Sequence, residues 1–158
     1  MPDEWLYEEK RMNNLCSVTI LLVEDDKGHA RLIEKNLRRV GIHNPIIHLD
    51  DGQKAVDFLF CRAEYKDKAL PTPLIVLLDL NMPILDGYQV IKQMKTNPLT
   101  HRIPVIVLTT TGNAGEVQLC YELGCNVFIK KPVEYHEFCE AIRKLGMFLE
   151  IVVIPNGE

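Results

Sequence analysis

The stretch Leu74-Ile75-Val76-Leu77-Leu78-Asp79-Leu80-Asn81-Met82-Pro83 decides the architecture. Its opening apolar residues run without a polar break, which suits a strand buried on both faces of a parallel sheet. The run then stops at a carboxylate. Asn81, Pro83 and, a little further on, Asp86-Gly87 are turn formers, so Asp79 stands at the C-terminal end of the strand. In open parallel sheets that end is where ligands bind. Taken alone, an acid there is as well explained by a capped turn or helix start. The rest of the chain reverses that balance.

Working outward, Val18-Thr19-Ile20-Leu21-Leu22-Val23 is a second β-rich apolar run, and it too ends in acid: Glu24, Asp25, Asp26. Ala30, Ile33, Leu37 and Val40 then recur at helical spacing before Gly41. Pro45 to Leu49 reads as a short strand, and Asp50-Asp51-Gly52 leads into a helix carrying Ala55, Val56, Leu59 and Phe60. A polar stretch from Arg62 to Thr72 is longer than the usual connection of about 2–6 residues. After the opening strand, a helix from Asp86 turns Tyr88, Ile91 and Met94 inward and ends before Asn97-Pro98. Pro104 to Leu108 is a fourth strand, ending in Thr109-Thr110-Thr111-Gly112. A helix from Gly115 to Leu123 stops at Gly124, and Asn126 to Ile129 is a fifth strand ending at Lys130-Lys131-Pro132. A last helix presents Phe138, Ala141, Ile142 and Leu145 on one face. Repeated βα units of this kind predict an α/β fold, a doubly wound five-stranded parallel sheet flanked by helices on both faces.

At 158 residues the chain fits one domain, with 1–16 a polar lead-in, 17–149 the folded unit and 150–158 an apolar tail. A net charge of -4 argues against direct nucleic-acid binding. No signal peptide or membrane-length apolar run is present, which predicts a cytoplasmic protein. The five cysteines are odd in number and lack paired C-x-x-C spacing, so buried free thiols explain them better than zinc or disulfides.

Polar groups gather at four strand ends: Glu24 and Asp25, Asp79, Thr109, and Lys131. If the first and third strands are neighbours, the three carboxylates converge. At ~4 Å each like-charged pair repels by roughly 4 kcal/mol at an effective dielectric of ~20. Lys131 offsets part of this, and a hard divalent cation with oxygen ligands offsets the rest; Mg²⁺ suits one or two carboxylates with waters and a phosphate. Such a site lets an Asp attack phosphorus and form an acyl phosphate, with the Thr109 hydroxyl and Lys131 meeting the phosphoryl oxygens. Each residue has a bland alternative as a cap, a turn hydroxyl or a solvated charge, but the ordered set does not.

Val23-Glu24-Asp25-Asp26, Leu78-Asp79-Leu80-Asn81-Met82-Pro83 with Asp86-Gly87, Leu108-Thr109 and Lys131-Pro132 resemble the receiver domain of two-component response regulators, from about Val18 to Leu149. The resemblance implies the flavodoxin-like strand order 2-1-3-4-5. It implies Asp79 as the phosphoacceptor from a sensor histidine kinase. Asp25 would bind Mg²⁺ directly, Glu24 mostly through water, and the Asn81 carbonyl would be a further ligand. Thr109 and Lys131 would read the phosphoryl group, Phe128 matches the aromatic switch position, and Lys131-Pro132 matches a peptide bond that is cis in the family. Leu59-Phe60, Tyr65, Pro71-Thr72-Pro73 and the ending Phe148 to Pro155 are similar to single-domain regulators serving bacterial phytochromes, although Phe148 stands where that subgroup usually carries Trp. No DNA-binding output domain fits after the last helix, so a protein contact or onward phosphate relay is expected. Phe148, Leu149, Ile151 and Val153 in the apolar ending predict a homodimer. A haloacid-dehalogenase-type phosphatase would need a second Asp where Asn81 stands. A flavodoxin would carry its phosphate loop after the first strand, not the fourth. A module that never takes phosphate leaves the acids, Thr109 and Lys131 unexplained.

Overall fold

The computed structural model describes residues 18–39, 42–110 and 112–130. In order these form β1 (Thr19–Val23), α1 (Lys27–Arg39), β2 (Ile46–Leu49), α2 (Gly52–Leu59), β3 (Leu74–Asp79), α3 (Gly87–Lys95), β4 (Val105–Thr109), α4 (Ala114–Leu123) and β5 (Val127–Lys130). The strands make one parallel sheet in the order β2-β1-β3-β4-β5. Every residue of β1, β3 and β4 is buried, as their unbroken apolar runs require.

Alternation along the strands divides the core in two. Leu21, Val23, Val76, Leu78, Val105 and Val107 face α2, α3 and α4. Ile20, Leu22, Ile75, Leu77, Ile106, Leu108 and Ile129 face the other way, with Ala30, Ile33 and Leu37 of α1. In α1 the buried positions lie three and four apart while Arg31, Glu34 and Lys35 are exposed, so a polar helix overall still has one apolar stripe. Arg38 closes that helix onto the following turn, its guanidinium donating to the Ile42 carbonyl at 3.1 Å and the Asn44 carbonyl at 2.7 Å.

Helix starts are capped as the sequence suggests. The Asp51, Asp86 and Asn113 side chains accept from the backbone N–H of Lys54, Gln89 and Glu116. α4 ends at Gly124, whose φ of 107° belongs to the left-handed region that glycine enters without strain. Beside it Lys95 is turned inward, its ammonium donating to the His101 and Ile103 carbonyls. Burial lowers its pKa, and burial pushes the thiol of Cys125 up to about 12. Cys61, Cys120 and Cys125 are free thiols.

Several expectations shift. In α3 the buried residues are Gly87, Val90, Ile91 and Met94, one stripe at helical spacing, and Tyr88 is only half-buried because it stands beside that stripe. Phe60 lies just beyond α2 and is partly buried against the core. The Arg62–Thr72 stretch contains a short 3₁₀ turn, Ala63–Tyr65, with the Phe58 and Tyr65 rings edge to face at 5.3 Å. The lead-in, Val40 and Gly41, Lys131 with its peptide bond to Pro132, the last helix, and Phe148, Leu149, Ile151, Val153 and the tail lie outside the described residues.

Candidate functional site

β1 and β3 are hydrogen-bonded neighbours with Val23 opposite Leu78, so the residues that follow each strand emerge side by side. Glu24, Asp25 and Asp79 each bring a carboxylate oxygen to within 4.8 Å of the others. Glu24 is 1% and Asp79 8% exposed, whereas Asp25 reaches solvent. At 4.8 Å and an effective dielectric of ~20, each pair of unit charges repels by roughly 3–4 kcal/mol. Three hard oxygen donors this close suit a divalent cation of the Mg²⁺, Mn²⁺ or Ca²⁺ type better than a soft metal.

The third acid after β1 does something else. Asp26 is exposed and its Oδ1 accepts from the His29 N–H at 3.0 Å, which makes it the cap of α1. Its own N–H donates to Glu24 Oε1 at 3.3 Å, and His29 Nδ1 lies 3.8 Å from the same oxygen. Helix start and acid cluster are therefore one piece of structure.

After β3 the Asn81 N–H donates to Asp79 Oδ1 at 3.3 Å. The Asn81 side-chain amide donates to Thr109 Oγ1, also at 3.3 Å, and so links the loop after β3 to the end of β4. Thr109 is fully buried. Pro83-Ile84-Leu85 closes a γ-turn, with the Leu85 N–H donating to the Pro83 carbonyl at 2.8 Å and Ile84 held at a φ of 71°. A β-branched residue is strained there, and Ile84 is also 80% exposed. Leu85 in turn lies tight against Gly52, where a Cβ would meet the Leu85 carbonyl oxygen at 1.9 Å.

On β5, Phe128 and Lys130 share a face beside Gly112: a Cβ at Gly112 would lie 3.4 Å from the Phe128 ring and 3.8 Å from Lys130 Cδ. Phe128 is half-buried, its N–H donates to the Tyr121 hydroxyl at 3.2 Å, and Lys130 is exposed. Glu24, Asp25, Asp79, Asn81 and Thr109 are thus brought together, Phe128 stands at the neighbouring strand, and Lys131 lies beyond the described residues. Two histidines join the site without having been singled out: His29, and His48, whose Nε2 is 2.8 Å from the Glu24 carbonyl oxygen. The available signal for His48 was its place near the end of the strand beside β1, an end that opens on the same edge.

The family model of the response regulator receiver domain matches residues 20–143. The response regulator Rcp1 of Synechocystis is 39% identical over 137 residues, spanning 86% of this chain and 92% of that protein. The Mn²⁺-bound crystal structure of Rcp1 superposes with a TM-score of 0.67 at 38% identity, over 84% of this chain and 91% of that one. The phosphorylated cyanobacterial phytochrome response regulator RcpA superposes with a TM-score of 0.69 at 32% identity, over 83% of this chain and 92% of that one. A family match over residues 20–143, with relatives this similar over most of their length, means that the chain belongs to the response regulator receiver family and is a two-component signalling protein similar to phytochrome response regulators.

Proposed function

We propose that Asp79 accepts a phosphoryl group from the phosphohistidine of a sensor histidine kinase, and that Glu24, Asp25, Asp79 and the Asn81 carbonyl hold Mg²⁺ for that reaction. The observation that carries the reading is the buried Asp79 carboxylate grouped with Glu24 and Asp25 within 4.8 Å at the edge where parallel sheets bind ligands. Three crowded carboxylates have a chemical fit to a hard cation, and the relative Rcp1 has a Mn²⁺-bound form. When bound, the cation supplies positive charge against the carboxylates and the phosphoryl oxygens.

The chain's own groups do the rest. The Asn81 N–H holds one Asp79 oxygen in place, and a carboxylate oxygen of Asp79 is the group that attacks phosphorus. The new bond is Asp79 oxygen to phosphorus; the phosphorus–nitrogen bond breaks, and its electron pair leaves on the imidazole. Water attack on the acyl phosphate later returns the carboxylate and inorganic phosphate. The Thr109 hydroxyl, which accepts from Asn81, would donate to a phosphoryl oxygen on Asp79. Lys131 would supply a further positive charge. Thr109 and Phe128 would carry the phosphorylated state to the α4–β5 side, where Phe128 already meets Tyr121.

The similarity to phytochrome response regulators supports a phytochrome as the kinase. The apolar residues Phe148, Leu149, Ile151 and Val153 support a homodimer through the C-terminal end. Among the described residues no helix is long and apolar enough to cross a membrane, which fits a cytoplasmic setting. The test is intact mass after incubation with acetyl phosphate and Mg²⁺. One phosphate should be gained, and Asp79→Asn should abolish it; full labelling of that variant refutes the assignment.

A further inference from the structure

A cleft of about 370 Å³ lies at the outer edge of the sheet, between the start of α1 and the 3₁₀ turn, over the end of β2. Its apolar lining comes from Leu22, Ala30 and Leu49, with Tyr65 at one side. Lys27 and Arg31, one helical turn apart on α1, give it positive charge. Of the other charges around it, Lys54 pairs with Asp50 at 2.6 Å and Glu34 faces Arg38 at 3.9 Å, while Glu64 stands beside Tyr65 on the side away from α1. Among the described residues Lys27 and Arg31 have no such partner. The cleft therefore suits a ligand that is anionic on one side and apolar on the other.

We propose that this occupant is the chain's own N-terminal segment Asp3–Glu9, docked in cis. The segment reads Asp3-Glu4-Trp5-Leu6-Tyr7-Glu8-Glu9, an apolar centre with a pair of acids on each side. That is the complement of an apolar lining beside a basic helix turn. Reach is no obstacle. The residues between Leu6 and Val18 span up to about 40 Å when extended, whereas β1 carries the chain only about 17 Å up the sheet. The docked segment lies beside the phosphorylation edge, since His48 in the cleft wall touches the Glu24 carbonyl and Lys27 begins the helix that Asp26 caps.

Trp5 is the single tryptophan of the chain, so its fluorescence reads the docking directly. In the full chain at low salt its emission should be blue-shifted and shielded from acrylamide. Raising salt to about 1 M, which shortens the screening length from about 8 Å to about 3 Å, should shift emission to the red. K27E combined with R31E should do the same at low salt, and E8K with E9K in that background should restore the blue shift. If the double variant fails to fold by circular dichroism, Arg31→Ala and the salt titration carry the test. A solvent-like Trp5 in the parent protein, or one indifferent to salt and charge reversal, overturns the proposal. A blue shift that disappears on dilution overturns it in favour of docking from a second copy. A solvent-like Trp5 together with protection of Arg31 from phenylglyoxal by inorganic phosphate assigns the cleft to a small anion instead.

Discussion

Gly52→Ala tests whether the loop after β3 is held in place by the start of α2, against which it packs. A Cβ at Gly52 would sit 1.9 Å from the Leu85 carbonyl oxygen, 2.8 Å from its carbon and 3.1 Å from its Cβ. A carbon and a carbonyl oxygen approach to about 3.3 Å, so one backbone must retreat by roughly 1.4 Å. Neither side yields easily. Gly52 opens α2 under the Asp51 cap, and Leu85 stands between the strained Ile84 and the Asp86 cap of α3. Overpacking costs about 1–3 kcal/mol, and two backbones in contact place this case at the upper end. The entropic gain of replacing glycine, about 0.4–1 kcal/mol, does not offset it. With roughly 2–4 °C per kcal/mol for a chain of this size, the melting temperature should fall by about 6–12 °C. Labelling by acetyl phosphate should also slow, because the displaced loop follows Asp79 directly. Gly115→Ala is the control: its Cβ meets only Asn113 Oδ1 at 3.4 Å, in a helix where alanine is favoured. Thermal unfolding by circular dichroism compares the two. Equal melting temperatures with unchanged labelling would refute the reasoning.

Mg²⁺ should raise the melting temperature of the parent protein, and Asp25→Ala should remove that rise, while Asp26→Ala keeps it and loses about 1 kcal/mol of helix capping; the reverse pattern would move the metal site by one residue. Lys131→Ala should take up phosphate yet lose the phosphorylation-dependent change in exposure of Phe128, and Lys130→Ala should keep it, as followed by hydrogen exchange at β5. Iodoacetamide at pH 8 should modify Cys61 well before Cys125, whose thiol burial holds neutral up to about pH 12; equal rates by peptide mass spectrometry would contradict that burial. The full chain should sediment as a dimer at micromolar concentration and a chain ending at Leu145 as a monomer, and a full-length monomer sinks the dimer.

The sheet was legible because its strands are short apolar runs bounded by turn formers, and buried parallel strands produce that pattern. The acids were legible for a related reason. Asp79, Glu24 and Thr109 are polar residues placed where such a run stops, and one edge of the sheet collects all such stops. What escaped depends on contacts between segments distant in sequence. His48 touches Glu24 only because β2 pairs with β1. Val90 rather than Tyr88 joins Ile91 and Met94 on the buried stripe of α3, a choice of helical phase that the packing against α2 and α4 sets. The positive φ values at Cys61, Ala63 and Ile84 fall on residues that do not advertise them, unlike glycine or asparagine. Tertiary packing imposes those conformations.

The parity of the strands explains how one edge can serve both chemistry and switching. Asp79 follows Ile75 and Leu77, and Glu24 follows Ile20 and Leu22, so both acids stand on the α1 face. Thr109 follows Val105 and Val107, and Lys130 follows Phe128, so these stand on the face of α2, α3 and α4. The phosphoacceptor candidate and the switch candidates are thus on opposite faces of the sheet. Asn81 links them over the carboxyl edge, its backbone N–H donating to Asp79 and its side-chain amide to Thr109. In the proposed reaction the Thr109 hydroxyl, which accepts from Asn81, would donate to a phosphoryl group added to Asp79. On that reading the response reaches the far face, where Phe128 is only half-buried and its N–H donates to the Tyr121 hydroxyl of α4. On the proposed mechanism, a charge placed on one face would become a packing change on the other.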